Sequence, residues 1–462
     1  MGGFFSKSGS NSLATTPSHS ELQNAVLHRD PSAVPPTVSA IKENKLHMSC
    51  GRTIYDGSGG AAVSNLGHSY KDRILKAIAV AARAVDYTAR SDAVEAAAKL
   101  AIQYHIEKGQ TQRQYFIARH QSYHGATALA LALSGHKARR QPFQFSLPDN
   151  VRRVSSCFEY LQRKEGQSVE QFLNDKVQEL EKTFAEIGPD KVIAFVCEPI
   201  VGAALGCVPP VKGYLKAMQD VCHKHGALFI LDEIMCGAGR TGGNLHAFMH
   251  HDGVRPDILV MGKGLGGGMQ PVSAMLCNRT VADALEENLS GFNHGYTFQN
   301  HPPVCAAAVE VLKIIEEDNL LENVKKQGKL LADLMREKLE VLPNVSPIRG
   351  QGLFQGVSQV EFSSLIVTYA LQFSLLKDKA TKESFDRKLK VALSIHEKAW
   401  KDPKYGIYVY WGTGSAADGL AGDHLIVAPP FTITTEEVHW LVGRLELVIK
   451  DYFKELEARG EK

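Results

Sequence analysis

The sequence predicts an α/β protein built on a mainly parallel β-sheet, and three observations support this prediction. The chain has 462 residues, of which 44% are hydrophobic and 22% charged, which is ordinary for a globular protein with a large core. Short apolar runs alternate with helical segments across Tyr115–Leu276, as in parallel sheets with right-handed crossovers. Two of these runs, Ala227–Leu231 and Ile258–Met261, have the length of strands buried on both faces and end abruptly in charged residues, Asp232 and Lys263.

Charge and cysteine usage exclude several classes of protein. The formal net charge of +2 gives no basic field for nucleic acid or a membrane surface. The chain has no apolar run of the roughly 18 residues that a membrane-spanning helix needs. The eight cysteines form no CxxC pair and show no metal-ligand spacing, and several lie in apolar runs as buried thiols do. We therefore expect no metal site and a reducing compartment, the cytoplasm.

The N-terminal residues 1–45 are rich in Ser, Thr, Pro and Asn without periodicity, which predicts a disordered extension. Its opening MGGFFS fits the Met-Gly-x-x-x-Ser pattern of N-myristoylation, whereas the apolar core of a signal peptide is missing. The sequence leaves open whether this extension is lipidated or is a targeting segment. Residues 46–68 contain short extended pieces broken by Gly, and we expect them to pack with the smaller domain.

The remaining chain is predicted as a large domain, 69–320, and a smaller C-terminal α/β domain, 321–462. Periodicity and capping residues predict helices at Ser69–Val85, Ser91–His105, Asn174–Ile187, Gly213–His225, Val304–Glu317, Glu322–Val341, Leu389–Trp400 and from Thr434, which forms a capping box with Glu437. Apolar runs predict strands at Gln114–Arg119, Lys191–Ile200, Ala227–Leu231, Ile258–Met261, 352–357, Gly406–Trp411 and His424–Val427. The turn with Tyr123, His124 and Gly125 is expected to open another helix.

Three predicted strands end in an ionisable residue: Glu198, Asp232 and Lys263. Their intervals of 34 and 31 residues each correspond to about one βαβ unit, so all three side chains are expected at one edge of the sheet. Each residue alone is equally well explained as a surface charge or a helix cap. Three successive coincidences favour a shared ligand crevice instead.

The residue types at this edge suit pyridoxal phosphate chemistry. A buried Lys263 between Gly262 and Gly264 suits Schiff-base chemistry, because desolvation lowers its pKa and the small flanks admit a flat ligand. A carboxylate one strand away, Asp232, would keep the pyridine nitrogen of the cofactor protonated and make the ring an electron sink. Tyr123 is a candidate to stack on that ring.

Such a cofactor also needs an anion site for its phosphate. The predicted helix N-termini at Ser91 and Gly125 and the hydroxyl of Thr297 are candidates for it. A different interpretation rests on GAGRTG at Gly237–Gly242, which matches the G-x-G-x-x-G pattern of a nucleotide-dependent oxidoreductase using NAD(P). This single match is weak, and GKGLGGG is no P-loop because Gly264 follows Lys263.

The ordered set SYHG, CEPIVG, LDEIMCGAGRTG, MGKGLGGG, GYTFQNHP, RGQGLF and APPFTIT resembles the class III pyridoxal-phosphate aminotransferases of fold type I. The resemblance extends from about His47 to Leu456, and DEIMCGAGRTG is most similar to the branch that handles ω-amino acids and amines. It implies a mainly parallel large-domain sheet with a smaller C-terminal domain. It also implies a transaminase that moves an amino group from an amino acid or amine to a 2-oxo acid.

The resemblance further implies a role for each matched residue. Lys263 corresponds to the Schiff-base lysine that also moves the proton, and Asp232 to the acid on the pyridine nitrogen. Ile234 and Tyr123 correspond to the side chains on the two ring faces, and Glu198 to an acid that orders the site. Further implied cofactor contacts come from His124 and Gly125 in SYHG, from Ser91, and from Thr297, which reaches the phosphate in the partner subunit of a homodimer.

Three departures from the family pattern bear on the function. Arg90 stands where the phosphate turn before Ser91 has Gly, and a stretch with one strand of the large sheet is missing before it. An apolar insert, Ser358–Ser374, follows RGQGLFQGV. His424–Val427 lacks the Arg that binds a substrate carboxylate in many relatives. The first departure leaves an impaired pseudoenzyme of the same fold as an alternative.

Overall fold

The structure is a computed structural model that describes residues 38–42, 45–48, 51–56, 66, 70–82, 93–288, 291–296, 299–357, 372–378, 381–412 and 422–460. Several predicted features lie outside these residues: the first 37 positions, Arg90, Ser91, Thr297, and 358–371 of the insert. The prediction of a disordered extension up to residue 45 is wrong for Val38–Lys42, which forms a strand and pairs with the strand that begins at Lys45. Inter-strand pairing supplies order here that composition does not reveal.

The described strands are β1 Val38–Lys42, β2 Lys45–Met48, β3 Thr53–Asp56, β4 Tyr115–Arg119, β5 Val151–Val154, β6 Val192–Cys197, β7 Leu228–Asp232, β8 Ile258–Met261, β9 Ala274–Cys277, β10 Arg349–Gln351, β11 Phe354–Val357, β12 Gln372–Asp378, β13 Glu383–Ser384, β14 Ile407–Tyr408, β15 Tyr410–Gly412 and β16 Asp423–Ile426. The described helices are α1 Lys71–Ala82, α2 Ala93–Glu107, α3 Ala128–Leu133, α4 Lys137–Arg140, α5 Glu159–Gln162, α6 Val169–Ile187, α7 Tyr214–Lys224, α8 Arg279–Glu287, α9 Pro302–Glu317, α10 Leu320–Met335, α11 Val391–Lys401 and α12 Thr435–Ala458.

The central sheet has the order β5-β4-β6-β7-β8-β9 among the described strands. Every neighbouring pair is parallel except β8 and β9, which are antiparallel. The predicted α/β class with a mainly parallel sheet is therefore confirmed. In the described part of the chain β9 forms one edge of this sheet.

Side-chain alternation along β7 explains why the sheet is covered on both faces. Leu228 and Ile230 belong to one hydrophobic cluster with the Ala-rich helix α2, whereas Phe229 and Leu231 belong to another with α6 and α7. Successive strand residues point to opposite faces, so a continuous apolar run buries both. Strand β7 therefore lies between two layers of helices, and its carboxyl end lies between these layers.

The C-terminal part carries two smaller sheets and a separate hydrophobic cluster. Strands β10, β11, β12, β15 and β16 form an antiparallel sheet in which β13 also pairs with β12. A four-stranded sheet joins β1–β3 to β14, so the N-terminal strands pair with the C-terminal part. Helices α10, α11 and α12 pack on these strands in one core, and the predicted capping box at Thr434 is present.

Two predicted elements differ from the structure. The single strand predicted at Gly406–Trp411 is divided at Val409, because β14 pairs with β3 while β15 pairs with β16 in another sheet. The helix predicted from Asn174 begins at Val169, since Ser168 and Gln171 form a capping box that the prediction overlooked. Among the described helices none is both long enough and apolar enough to span a membrane.

Candidate active site

The three ionisable residues predicted at strand ends lie at one edge of the central sheet. Asp232 is the last residue of β7, Glu198 follows β6 by one residue, and Lys263 follows β8 by two. Because β6, β7 and β8 are parallel neighbours, their carboxyl ends lie side by side. All three side chains line a single cavity of about 300 Å³.

The structure brings seven of the nine predicted site residues together. The cavity is lined by Tyr123, His124, Gly125, Glu198, Asp232, Ile234 and Lys263. The other two, Ser91 and Thr297, lie outside the described residues. The lining residues that were not predicted include His136, Arg139 and Tyr410.

The Asp232 carboxylate is buried and held at both oxygens. Nδ1 of His124 lies 2.8 Å from Oδ2, and the backbone N–H of Ile234 donates to Oδ1 over 3.0 Å. Asp232 is only 4% exposed, so these contacts fix the orientation of the carboxylate within the protein. Nε2 of His124 is buried and has no hydrogen-bond partner in the described structure.

Glu198 is organised by a buried arginine. Arg119, the last residue of β4, donates from Nη2 to the Glu198 carbonyl oxygen at 2.6 Å and contacts the carboxylate at 3.3 Å. The backbone N–H of Tyr123 donates to the other carboxylate oxygen at 3.3 Å. Burial raises the pKa of Glu198, an effect that His124 and Arg119 oppose. Sequence analysis missed Arg119, although it too is a charge at the end of an apolar run.

Lys263 occupies a strained backbone position just after the carboxyl end of β8. Its φ of 44° lies in the left-handed region, which costs a non-glycine residue about 1–2 kcal/mol. It opens a short 3₁₀ turn, Lys263–Gly266, directly after the extended Gly262. Burial lowers the pKa of its amine, while the carboxylates of Asp232 and Glu198 oppose that shift. A strained, desolvated lysine between two acids is typical of a functional site.

The loop with Tyr123 and Gly125 lies against the cavity but does not open a helix as predicted. Helix α3 begins at Ala128 after the N-cap Thr127 and has only six residues. Gly125 has a φ of 143°, a region that favours glycine, so its backbone follows the cavity wall without a side chain. The prediction that a helix opens at Gly125 is wrong, because α3 starts three residues later.

The cavity fits a pyridoxal-type ring. Its walls combine an aromatic ring from Tyr123, the aliphatic Ile234 and the buried carboxylate of Asp232, with the Lys263 amine as a nucleophile. Gly262 supports Ile234 closely, since a Cβ built on this glycine would lie 3.4 Å from Cγ2 of Ile234. Nε2 of His124, which has no partner in the described structure, offers a polar ligand a further hydrogen-bonding atom.

The alternative of a nucleotide-dependent oxidoreductase is wrong. The segment Gly237–Gly242 forms turns after β7 and leads into no α-helix, so it offers no helix N-terminus to a phosphate. Arg240 within it is 1% exposed and donates from Nη1 to the carbonyl of Pro429 at 2.5 Å. Through this hydrogen bond, the glycine-rich segment after β7 contacts the C-terminal part of the chain.

Comparison with known proteins agrees with this geometry. The family model described as Aminotransferase class-III matches residues 73–372. An uncharacterized aminotransferase of Schizosaccharomyces pombe is 37% identical, over 94% of this chain and 97% of that protein. The chloroplastic gamma aminobutyrate transaminase 3 of Solanum lycopersicum is 30% identical, over 78% of this chain and 64% of that protein.

A solved structure has the same fold. The (S)-enantioselective omega-transaminase from Thermomicrobium roseum superposes with a TM-score of 0.82 and 26% identity, covering 95% of this chain and 99% of that one. The resemblance found in the sequence is thereby confirmed, as is the predicted fold. The comparisons give no support to the alternative of an impaired pseudoenzyme.

Proposed function

The chain belongs to the class-III aminotransferases, enzymes that use pyridoxal 5′-phosphate, and we propose that Lys263 and Asp232 carry the chemistry of amino-group exchange between an amino donor and a 2-oxo acid. The observation behind this proposal is that both side chains line one cavity at the ends of adjacent parallel strands. When bound, the cofactor supplies a carbonyl that condenses with amines and a pyridine ring that withdraws electrons.

Lys263 is suited to act as nucleophile and as proton carrier. Its amine loses its proton more readily than an exposed lysine, because burial lowers its pKa. A neutral lysine amine can attack a carbonyl carbon, and the same amine, when it is not bonded to that carbon, can take up and return a proton at Nζ, so one side chain can serve both roles. The short turn at Lys263–Gly266 fixes the backbone from which this side chain acts.

Asp232 is suited to hold a ring N–H. Its contacts with His124 and the Ile234 N–H keep the carboxylate oriented towards the cavity. An ionised carboxylate that accepts this hydrogen bond keeps the ring nitrogen positively charged. Tyr123 and Ile234 are proposed to pack on the two faces of the ring, and Glu198 to order the strand end beside Asp232.

The phosphate contacts are proposed from the family pattern. We assign them to Ser91, to the backbone at Gly125, and to Thr297 from the second copy of a homodimer. Support for a homodimer comes from Phe143 and Phe145, which are 54% and 92% exposed close to the α4 wall of the cavity. Light scattering that gives the mass of one chain would refute the dimer.

The substrate class, compartment and domain division are also proposed. Similarity to a gamma aminobutyrate transaminase and to omega-transaminases favours an ω-amino acid or amine as donor. The cytoplasm is proposed because the described cysteines are free and five of them are buried: Cys157, Cys197, Cys207, Cys222 and Cys236. The division at about residue 320 is proposed because the hydrophobic core that contains α10–α12 lies beyond it.

Replacing the proposed lysine tests the function directly. Lys263→Ala should abolish amino transfer and remove the visible absorbance of lysine-bound pyridoxal from the purified protein. Lys176→Ala is the matched control, because Lys176 is also a largely buried lysine with a lowered pKa but lies on α6 outside the cavity. Retention of that absorbance in Lys263→Ala would refute the assignment.

A further inference from the structure

A cation on the cavity wall has no role in the proposed chemistry. Arg139 lies on α4, a helix of four residues, and lines the cavity together with Lys263. Its guanidinium carbon stands 4.4 Å from the centre of the Tyr123 ring. A cation over an aromatic face is held by the ring quadrupole, so Tyr123 fixes the position of this charge.

The acids of the cavity do not neutralise Arg139. Glu198 pairs with Arg119, and Asp232 contacts His124. In the part of the chain that the structure describes, Arg139 forms no ion pair with any carboxylate. The N–H groups of its guanidinium therefore remain available to an anion that enters the cavity.

The neighbouring imidazole adds no second charge at neutral pH. Burial and the nearby positive charge of Arg139 together lower the pKa of His136 to about 4. His136 also lines the cavity, and its Nδ1 is buried without a partner in the described structure. This wall thus combines one fixed cation with one neutral polar group.

The C-terminal segment that contributes to the cavity lining contains no lysine or arginine. The sequence from Tyr405 to Phe431 contains neither Arg nor Lys, and the described part of it contributes Tyr410 to the lining. His424 in β16 is fully buried, and burial lowers its pKa to about 3, so it is neutral. A substrate anion in this cavity therefore meets its positive partner on α4.

We propose that Arg139 binds the carboxylate of the substrate, so that the enzyme prefers carboxylate-bearing amino donors and 2-oxo acids to plain amines. A guanidinium donates two parallel hydrogen bonds to a carboxylate, a geometry that a lysine cannot reproduce. This inference rests on the proposed function, because it names the substrate class of the same site. Arg139 is a substrate-binding residue and takes no part in moving the proton.

A purely structural role for Arg139 would lead to a different result. If the guanidinium only clamped the Tyr123 ring, its loss would disturb the cofactor and slow every donor by the same factor. A carboxylate contact instead affects only ligands that carry the anion. Matched pairs of donors that differ by one group separate the two roles.

The first experiment measures binding of the unreactive anion butanoate to the holoenzyme by calorimetry. Arg139→Gln should weaken binding by about 10- to 100-fold, the range for one lost charged contact, and Arg139→Lys should fall between it and the wild type. Lys137→Gln, an exposed neighbour on α4, should bind like the wild type. Wild type that binds no butanoate, or Arg139→Gln that binds it equally well, overturns the proposal.

The second experiment compares kcat/KM for pairs in which a methyl group replaces the carboxylate: alanine with isopropylamine, 3-aminopropanoate with propylamine, and 4-aminobutanoate with butylamine. Arg139→Gln should lose about 10- to 100-fold on the acids of at least one pair and leave its amine unchanged. Equal losses on both members of every pair overturn the proposal. If no donor reacts while butanoate binding still depends on Arg139, the carboxylate site stands and the transaminase function fails.

Discussion

Nδ1 of His124 lies 2.8 Å from Oδ2 of Asp232, and the two side chains are 0% and 4% exposed. This contact joins a loop after β4 to the end of β7 across 108 positions of sequence. Because Oδ1 is already bound by the Ile234 N–H, the carboxylate cannot rotate without breaking one of the two contacts. The proposed ring-binding acid is therefore oriented by the protein before any ligand arrives.

Neutralising this acid should slow catalysis while leaving the fold intact. We expect Asp232→Asn to lower kcat by at least about 100-fold, because an amide does not stabilise a positive charge on the ring nitrogen. Stopped-flow measurement of the visible absorbance during the reaction with the amino donor checks this. A kcat within a few-fold of the wild type would contradict the assigned role.

The control is a buried acid at the opposite end of the same parallel strands, where β8 begins. Asp257 accepts hydrogen bonds from the Phe229 N–H at 2.8 Å and from Asn278 at 2.8 Å, and it lies outside the cavity. Asp257→Asn should lower thermal stability, since one donor loses its acceptor, yet leave kcat close to that of the wild type.

Stability should fall in acid partly through His424. Burial, with Arg349 and His136 nearby, lowers the pKa of this side chain to about 3, whereas the unfolded chain binds its proton below about pH 6.5. The unfolded state therefore binds more protons between these values. The free energy of unfolding should decrease by about 1.4 kcal/mol for each pH unit as pH falls through this window.

Urea titrations of His424→Asn between pH 7 and pH 4 check this expectation. This range lies mostly between the pKa of His424 in the unfolded chain and its pKa in the folded protein, where protonation changes the free energy of unfolding. The variant should lose less stability over that range than the wild type. His439→Asn, which replaces an exposed histidine on α12, should follow the wild-type curve. Parallel curves for His424→Asn and the wild type would show that His424 does not titrate in this way.

The final helix should depend on its N-terminal cap. Oγ1 of Thr434 accepts from the Glu437 N–H at 3.2 Å, and the Thr434 N–H donates to the Glu437 carboxylate at 3.0 Å. Thr434→Ala should destabilise the protein by about 1 kcal/mol, measured from the urea midpoint. Thr434→Ser keeps the hydroxyl and should restore most of that loss; equal destabilisation by both changes would argue against the cap.

Local patterns in the sequence predicted the central part of the site. Asp232 and Lys263 each follow a continuous apolar run, and parallel strands end at one edge, so their proximity follows from periodicity and topology. Arg139 and His136 could not be found in this way. They lie on or beside a helix of four residues, which is too short to show any periodicity.

Long-range pairing decided what local patterns could not. The apolar stretch Gly406–Trp411 predicts one strand, but its two halves belong to different sheets, because the residues before Val409 pair with β3 and those after it pair with β16. Likewise, the turn at Gly125 resembles a helix start, although α3 begins only at Ala128.

The sequence by itself determined the α/β class, the order of the strands that carry Glu198, Asp232 and Lys263, and the family to which the chain belongs. These features depend on residue spacing of a few positions to one βαβ unit, which the chain displays directly. Only the tertiary structure decided that His124 orients Asp232, that Arg119 pairs with Glu198, and that Arg139 and Lys263 line the same cavity. Each of these contacts joins distant segments, and side-chain packing rather than local pattern sets their distances.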